Sequence, residues 1–392
     1  MIDQLGQIRP FKVMELLARG QQMEAEGRDV IHLEVGQPDF PTPNSVIDYV
    51  GERINDSDLG YTAASGMPAL RGGIVDYYAR EFGVAVDRNQ VIVTAGASGA
   101  LVLALSALSS NNGVMLMTNP GYPCNGVIAR AFGSKIRYVQ TGMHTPRTLV
   151  SDFERDWPDE PVDAVVIASP VNPTGEVLPL SVISEIGELA RARGAVLVVD
   201  EIYQGLVYDE PACTALSALN DVVIVNSFSK RFAMTGWRVG WAVAPHELID
   251  RMDRLAQNLF LAPCTVSQYA ALAALDEGVK PELLSRVEAL KARRDYLVQS
   301  LEGLGLSLCF QPEGAFYLLV DVSGFGLSGV EFCDRLLEAQ GVVLTPGSDF
   351  FVDYRGDQTV RIAYTANVAR LEQAVERIKQ FVGSLPCNSI DH

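Results

Sequence analysis

The chain has 392 residues, nearly half of them apolar and a fifth charged, with a formal net charge of −17. That length supports two or three domains around large cores. So acidic a surface repels nucleic acid and anionic membranes, so neither is expected as a partner.

The six cysteines (Cys124, Cys213, Cys264, Cys309, Cys333 and Cys387) are scattered, without a C-x-x-C pair. The four histidines lie far apart. No metal site is expected from such spacing. The start Met1-Ile2-Asp3-Gln4 lacks the basic and apolar segments of a secretory signal, and the apolar runs are too short or interrupted to span a bilayer. A cytoplasmic location is the expectation.

In chain order, residues 1–45 contain prolines and turn irregular after one helix. They read as an N-terminal arm (1–12) and part of a small domain (13–45). Short apolar runs rich in β-branched residues follow at 91–94, 114–117, 164–168, 195–199 and 222–225. Helical patterns separate several of them, as at 180–193. Near-continuous apolar strands alternating with helices predict an α/β fold: a mostly parallel sheet of about seven strands, covered on both faces. This large domain is expected to occupy 46–279. After an alanine-rich helix near 267–275 comes a charged helix over 281–304. Strands near 314–320 and 360–364 and a last amphipathic helix follow. They predict a smaller α+β domain over 280–392.

Ligands on such sheets bind beyond the strand C-termini. Lys230 stands there, in Asn226-Ser227-Phe228-Ser229-Lys230, eight residues before Arg238. A lysine at the mouth of a buried strand needs a partner or a reaction. Desolvation lowers its pKa and frees the amine to attack a carbonyl. Ser227, Ser229 and Arg238 beside it suit a phosphate. Together they point to pyridoxal 5′-phosphate held as a Schiff base.

Asp200 ends the run 196–199 and suits either a cap of the next helix or a partner for a pyridine nitrogen. Tyr203, three residues on, is a core tyrosine or a ring-hydroxyl partner. Asn172, between Pro170 and Pro173, marks a rigid turn and a fixed donor. Thr94-Ala95-Gly96-Ala97-Ser98-Gly99 runs from strand to helix with small residues, as a phosphate at a helix N-terminus requires. It matches neither a dinucleotide nor a Walker loop, which argues against a dehydrogenase. Tyr122, after Asn119-Pro120-Gly121, suits stacking on a planar ring. Tyr61 reads as a surface or interface aromatic. Arg361, inside an apolar strand, is either a surface arginine or a two-pronged carboxylate clamp.

Taken together, these segments resemble the class I aminotransferases of the fold-type I pyridoxal-phosphate enzymes. The similarity runs from Gly36-Gln37-Pro38-Asp39-Phe40 to Arg361. It is strongest in Ser227-Phe228-Ser229-Lys230 with Met234-Thr235-Gly236-Trp237-Arg238-Val239-Gly240, then in Asn172-Pro173-Thr174-Gly175 and Asp200-Glu201-Ile202-Tyr203. The resemblance implies that Lys230 forms the Schiff base and shuttles the proton. It pairs Asp200 with the pyridine nitrogen, puts Tyr203 and Asn172 on the ring oxygen and stacks Tyr122 on the ring. Ser227, Arg238 and the backbone at Ala97 and Ser98 hold phosphate. Arg361 grips the substrate carboxylate beside Gly36 and Asn172. Tyr61 reaches the phosphate of a neighbouring subunit, which implies a homodimer with shared sites.

Bacterial aspartate aminotransferases of this subgroup commonly carry a lysine where this chain has Ser98. The segment 258–263, which approaches the neighbouring site in the family, is apolar here. The expected donor is therefore a neutral or hydrophobic amino acid, with a 2-oxo acid such as 2-oxoglutarate as acceptor. A carbon–sulfur β-lyase on the same scaffold and an aspartate aminotransferase with another distal contact are the alternatives.

Overall fold

A computed structural model describes residues 10–56, 59–110, 112–142, 145 and 147–385. The arm expected over 1–12 lies, up to residue 9, outside the described residues. Helix α1 (Lys12–Ala25) leads to the short strand β1 (Ile31–His32).

The predicted apolar runs are strands of one sheet. They are β2 (Val91–Thr94), β3 (Val114–Asn119), β5 (Val162–Ala168), β6 (Val196–Asp200) and β7 (Val222–Ser227). Two further strands complete it, β4 (Lys135–Gln140) and β8 (Gly240–Val243). The order is β2-β8-β7-β6-β5-β3-β4. β8 runs antiparallel to both neighbours, and every other pairing is parallel. The expectation of a mostly parallel, seven-stranded α/β sheet is thus met.

Valine and isoleucine fill these strands because both faces are covered. On one face, helix α2 (Gly96–Leu108) packs Ala100, Leu101 and Ala104 in one cluster with Val223, Val225 and Ala242. On the other, Ile74, Tyr78, Ile186 and Trp241 cluster with Val165, Val199 and Ile224. Each buried valine, leucine or isoleucine among them stabilises the fold by about 1.5–3 kcal/mol.

The second sheet is antiparallel, in the order β12-β13-β10-β9. Its strands are β9 (Ser307–Leu308), β10 (Tyr317–Asp321), β12 (Thr345–Pro346) and β13 (Thr359–Ala363). Just before β12, β11 (Val342–Val343) pairs in parallel with β1. The beginning of the chain is thereby joined to its far end. Leu16, Ile31 and Leu33 share a cluster with Leu297, Phe316, Phe332, Ile362 and Leu371.

Candidate active site

Asp200 closes β6 and Ser227 closes β7, so the C-terminal ends of neighbouring strands carry both into one cleft. Lys230 follows β7, and its Nζ donates to the carbonyl of Gly36 at 2.5 Å. Lys230 keeps some open surface. Protein nevertheless packs densely around the amine, and this burial, with Arg361 and Arg238 nearby, lowers its pKa to about 8.

Asp200 is buried. Burial raises its pKa to about 6, against the backbone bond from Ile202 and the charge of Lys230. Both sequence readings of Asp200 have substance. Its Oδ1 accepts the N–H of Ile202 at 3.0 Å, but the segment it caps is a turn, not a helix. Tyr203 is buried, and its hydroxyl lies 2.8 Å from that of Tyr317. The Lys230 ammonium stands 5.8 Å from the centre of the Tyr203 ring.

Polar atoms gather around the start of α2. Ser227 Oγ donates to Ser229 Oγ at 2.9 Å, and Arg238 Nη1 reaches Ser229 Oγ at 3.4 Å and the Thr235 carbonyl at 2.9 Å. Arg238 takes a left-handed backbone (φ 50°), which turns the chain back into β8. Gly96 makes room for its head: a Cβ there would meet Arg238 Nη2 at 2.6 Å. Ala97 is buried in the first turn of α2, and Ser98 beside it is exposed.

Arg361 is buried on β13, which excludes the surface-arginine reading. Its Nη1 donates to Asn172 Oδ1 at 2.9 Å and its Nη2 to the Glu34 carbonyl at 2.6 Å. The guanidinium lies 4.2 Å from the ring centre of Tyr317 and 4.6 Å from that of Phe350. Register explains the first contact: Tyr317 pairs with Ala363 and Leu319 with Arg361, so Tyr317 and Arg361 are diagonal neighbours on one face. A Cβ on Gly36 would fall 2.0 Å from the Tyr317 hydroxyl, so only glycine fits between Lys230 and that ring.

Tyr122 caps the start of helix Pro123–Ala131, and its phenol feels both Arg361 and Tyr317. The structure thus links Lys230 with Gly36, Tyr203, Asp200 and Arg361, and Arg361 with Asn172 and Tyr122, while Ser227, Ser229 and the exposed Arg238 gather beside Gly96 and Ala97. Tyr61 is 86 % exposed on the single chain and takes no part in the contacts above. Ser229, expected beside the phosphate, bonds both Ser227 and Arg238. Tyr317, Glu34 and Thr345 were not singled out from the sequence, which carries no signal for them.

A mostly parallel sheet with a desolvated lysine, a buried acid and a group of serines and an arginine at its strand ends fits a pyridoxal-phosphate-dependent transferase. The family model for aminotransferase class I and II matches residues 28–378. The chain is 34 % identical over 381 residues to the valine–pyruvate aminotransferase of Mycobacterium tuberculosis, covering 96 % of this chain and 97 % of that protein. It is 30 % identical over 393 residues to the aspartate aminotransferase of Bacillus subtilis, covering 97 % and 98 %. A solved aminotransferase structure from Mycobacterium tuberculosis superposes with a TM-score of 0.92 at 33 % identity, covering 97 % and 98 %. The chain belongs to the class I and II aminotransferase family.

The cofactor of that family is pyridoxal phosphate, and the residues present fit it. Ser227, Ser229 and Arg238 offer phosphate donors beside Gly96, whose lack of a side chain lets the Arg238 guanidinium in. Arg361 keeps a buried Nε that has no partner among the described residues.

Proposed function

We propose that this aminotransferase moves the α-amino group of a neutral or hydrophobic amino acid to a 2-oxo acid such as 2-oxoglutarate. The observation that carries the reading is the guanidinium of Arg361, immobilised by Asn172 and the Glu34 carbonyl and lodged against two aromatic rings. A guanidinium so fixed suits two-pronged recognition of a carboxylate. When bound, pyridoxal phosphate supplies a carbonyl that takes the amino group and a protonated ring that accepts electrons.

In this reading Lys230 would hold the cofactor and would carry the proton at the substrate α-carbon. Its lowered pKa leaves part of the amine neutral near pH 7. Asp200 holds a proton on the pyridine nitrogen. Asn172 spends its Oδ1 on Arg361, which leaves its amide N–H₂ for the ring oxygen that Tyr203 also bonds. Tyr122 stacks on the ring. Ser227, Arg238 and the backbone at Ala97 and Ser98 hold the phosphate. Arg361, Gly36 and Asn172 orient the substrate carboxylate, which favours loss of the α-proton over loss of the carboxylate. Tyr61, exposed on one chain, reaches the phosphate of a second copy, so the enzyme works as a homodimer in the cytoplasm.

The neutral donor is supported by the uncharged, exposed Ser98 and by Leu259, Phe260 and Leu261, all exposed and apolar. A relative named for valine and pyruvate agrees with it, and one named for aspartate marks the alternative. A donor panel decides. Oxo acid and pyridoxamine phosphate formed from neutral donors, without an acceptor, are expected. Aspartate as the preferred donor would overturn the specificity. Ammonia and pyruvate released from cystathionine would replace transfer with β-elimination.

A further inference from the structure

Arg361 leans on a peptide whose side chain is itself unusual. Besides Arg361, the Glu34 carbonyl accepts from Thr345 Oγ1 at 3.1 Å. The Glu34 carboxylate is fully buried. Its Oε1 lies 2.7 Å from His32 Nδ1, while its Oε2 has no partner among the described residues. The other imidazole nitrogen, Nε2, lies 3.3 Å from Oε2 of Glu24 on α1. Helix α1 approaches closely because residue 20 is glycine; a Cβ there would stand 2.9 Å from His32 Cε1. β11 brings Val343 opposite His32, two residues before Thr345.

One imidazole is therefore bracketed by two carboxylates, directly behind the peptide that holds Arg361. We propose that His32 and Glu34 form a brace that positions Arg361 through the Glu34 carbonyl and slackens when His32 loses its proton. The proposal rests on Arg361 being the carboxylate clamp. His32 and Glu34 touch no reacting atom in this account; they are positioning residues.

The physics is a matter of donors. An imidazolium donates from both nitrogens and serves both carboxylates; a neutral ring donates from one. Glu24 is half exposed and can turn to water, whereas Glu34 cannot. Losing the proton thus leaves one of the two carboxylates without an N–H from the ring, and Glu34 Oε2 has no other partner among the described residues. The groups facing His32 are Glu34 on its own segment, Glu24 from α1 and the apolar Val343 from β11. The bond to Glu34 raises the pKa of His32 above its ordinary 6.5, with burial opposing and the two acids adding to it. The brace is therefore complete below that raised value and is lost as pH rises through it.

The test uses the holoenzyme and a non-reacting monocarboxylate, propionate, titrated by the change in cofactor absorbance from about pH 6 to about pH 9. Glu34→Gln and His32→Asn are compared with the parent and with Arg361→Lys. The brace predicts propionate binding about 3–10-fold weaker in Glu34→Gln, a flatter pH profile in both brace variants, and a raised KM with kcat within about twofold. Parent-like profiles in both variants would overturn it. Equal weakening toward an amine substrate without a carboxylate would also do so, because that marks general damage. If Arg361→Lys binds propionate normally, the clamp reading fails and the brace falls with it. If Arg361→Lys loses binding and the brace variants do not, the brace alone fails. Cofactor absorbance and melting temperature check folding; should Glu34→Gln not fold, the His32→Asn profile decides.

Discussion

Around the strand ends of the seven-stranded sheet, the candidate cofactor residues bond across short stretches of chain. Asp200 accepts from Ile202, Ser227 meets Ser229, and Arg238 reaches Ser229 and Thr235. On the opposite wall, Arg361 bonds residues 189 and 327 positions away. Lys230 and Tyr203 also reach across the chain, to the Gly36 carbonyl and the Tyr317 hydroxyl, so the first wall combines local turns with two long-range ties. The second depends on several distant elements docking together.

The largest effect expected from breaking the local wall is in Lys230→Ala. Transamination should fall by about 10⁴-fold or more in single-turnover assays, with the circular dichroism spectrum unchanged. Activity within tenfold of the parent would remove Lys230 from the chemistry. On the convergent wall, Arg361→Lys keeps charge but loses the planar fork. KM for carboxylate substrates should rise about 100-fold, equivalent to about 3 kcal/mol, with a smaller change in kcat.

The pKa of Lys230 joins the two walls, because burial lowers it together with the charges of Arg361 and Arg238. With a value of about 8, the neutral amine grows about tenfold per pH unit below that value and levels off above it. The rate at which cofactor-free protein forms its covalent link with pyridoxal phosphate should follow this curve in stopped-flow absorbance. A continued rise to about pH 10.5 would mean an ordinary, solvated lysine.

The smallest effect is on stability. Asp200 has a folded pKa of about 6 against an ordinary 3.8. The folded chain thus holds the proton more tightly than the unfolded chain, and stability falls as pH rises from about 4 to about 6. In cofactor-free protein, Asp200→Asn should gain about 2–3 kcal/mol at pH 7 in urea unfolding. The gain should disappear below about pH 4. A loss at pH 7 would show that the carboxylate is compensated in the empty site.

The same contrast decides what could be read from the sequence. Lys230, Asp200, Ser227 and Asn172 each follow a recognisable apolar strand, so strand periodicity located them. β4 alternates exposed and covered positions at the sheet edge, and β8 is four residues behind an arginine turn, so neither stood out. Tyr317 sits in an apolar run, with nothing in its neighbours to tie it to Arg361. That tie exists only through the register of β10 with β13. Glu34 was invisible because its contribution is made largely by its backbone. The phosphate role expected of Tyr61 came only through the resemblance, since one copy of the chain leaves it in solvent.

The pairing of β1 with β11 also bears on how the enzyme is made. Synthesis runs from the N-terminus, so the strands of the large sheet leave the ribosome well before Arg361 does. A nascent chain folding in that order has its lysine, acid and anion cup before it has a means of choosing a substrate. The stretch around residues 31–36 meanwhile waits for its partner strand. A chain cut short before β11 would lack the pairing that holds residues 31–32 and the Arg361 charge that helps lower the pKa of Lys230.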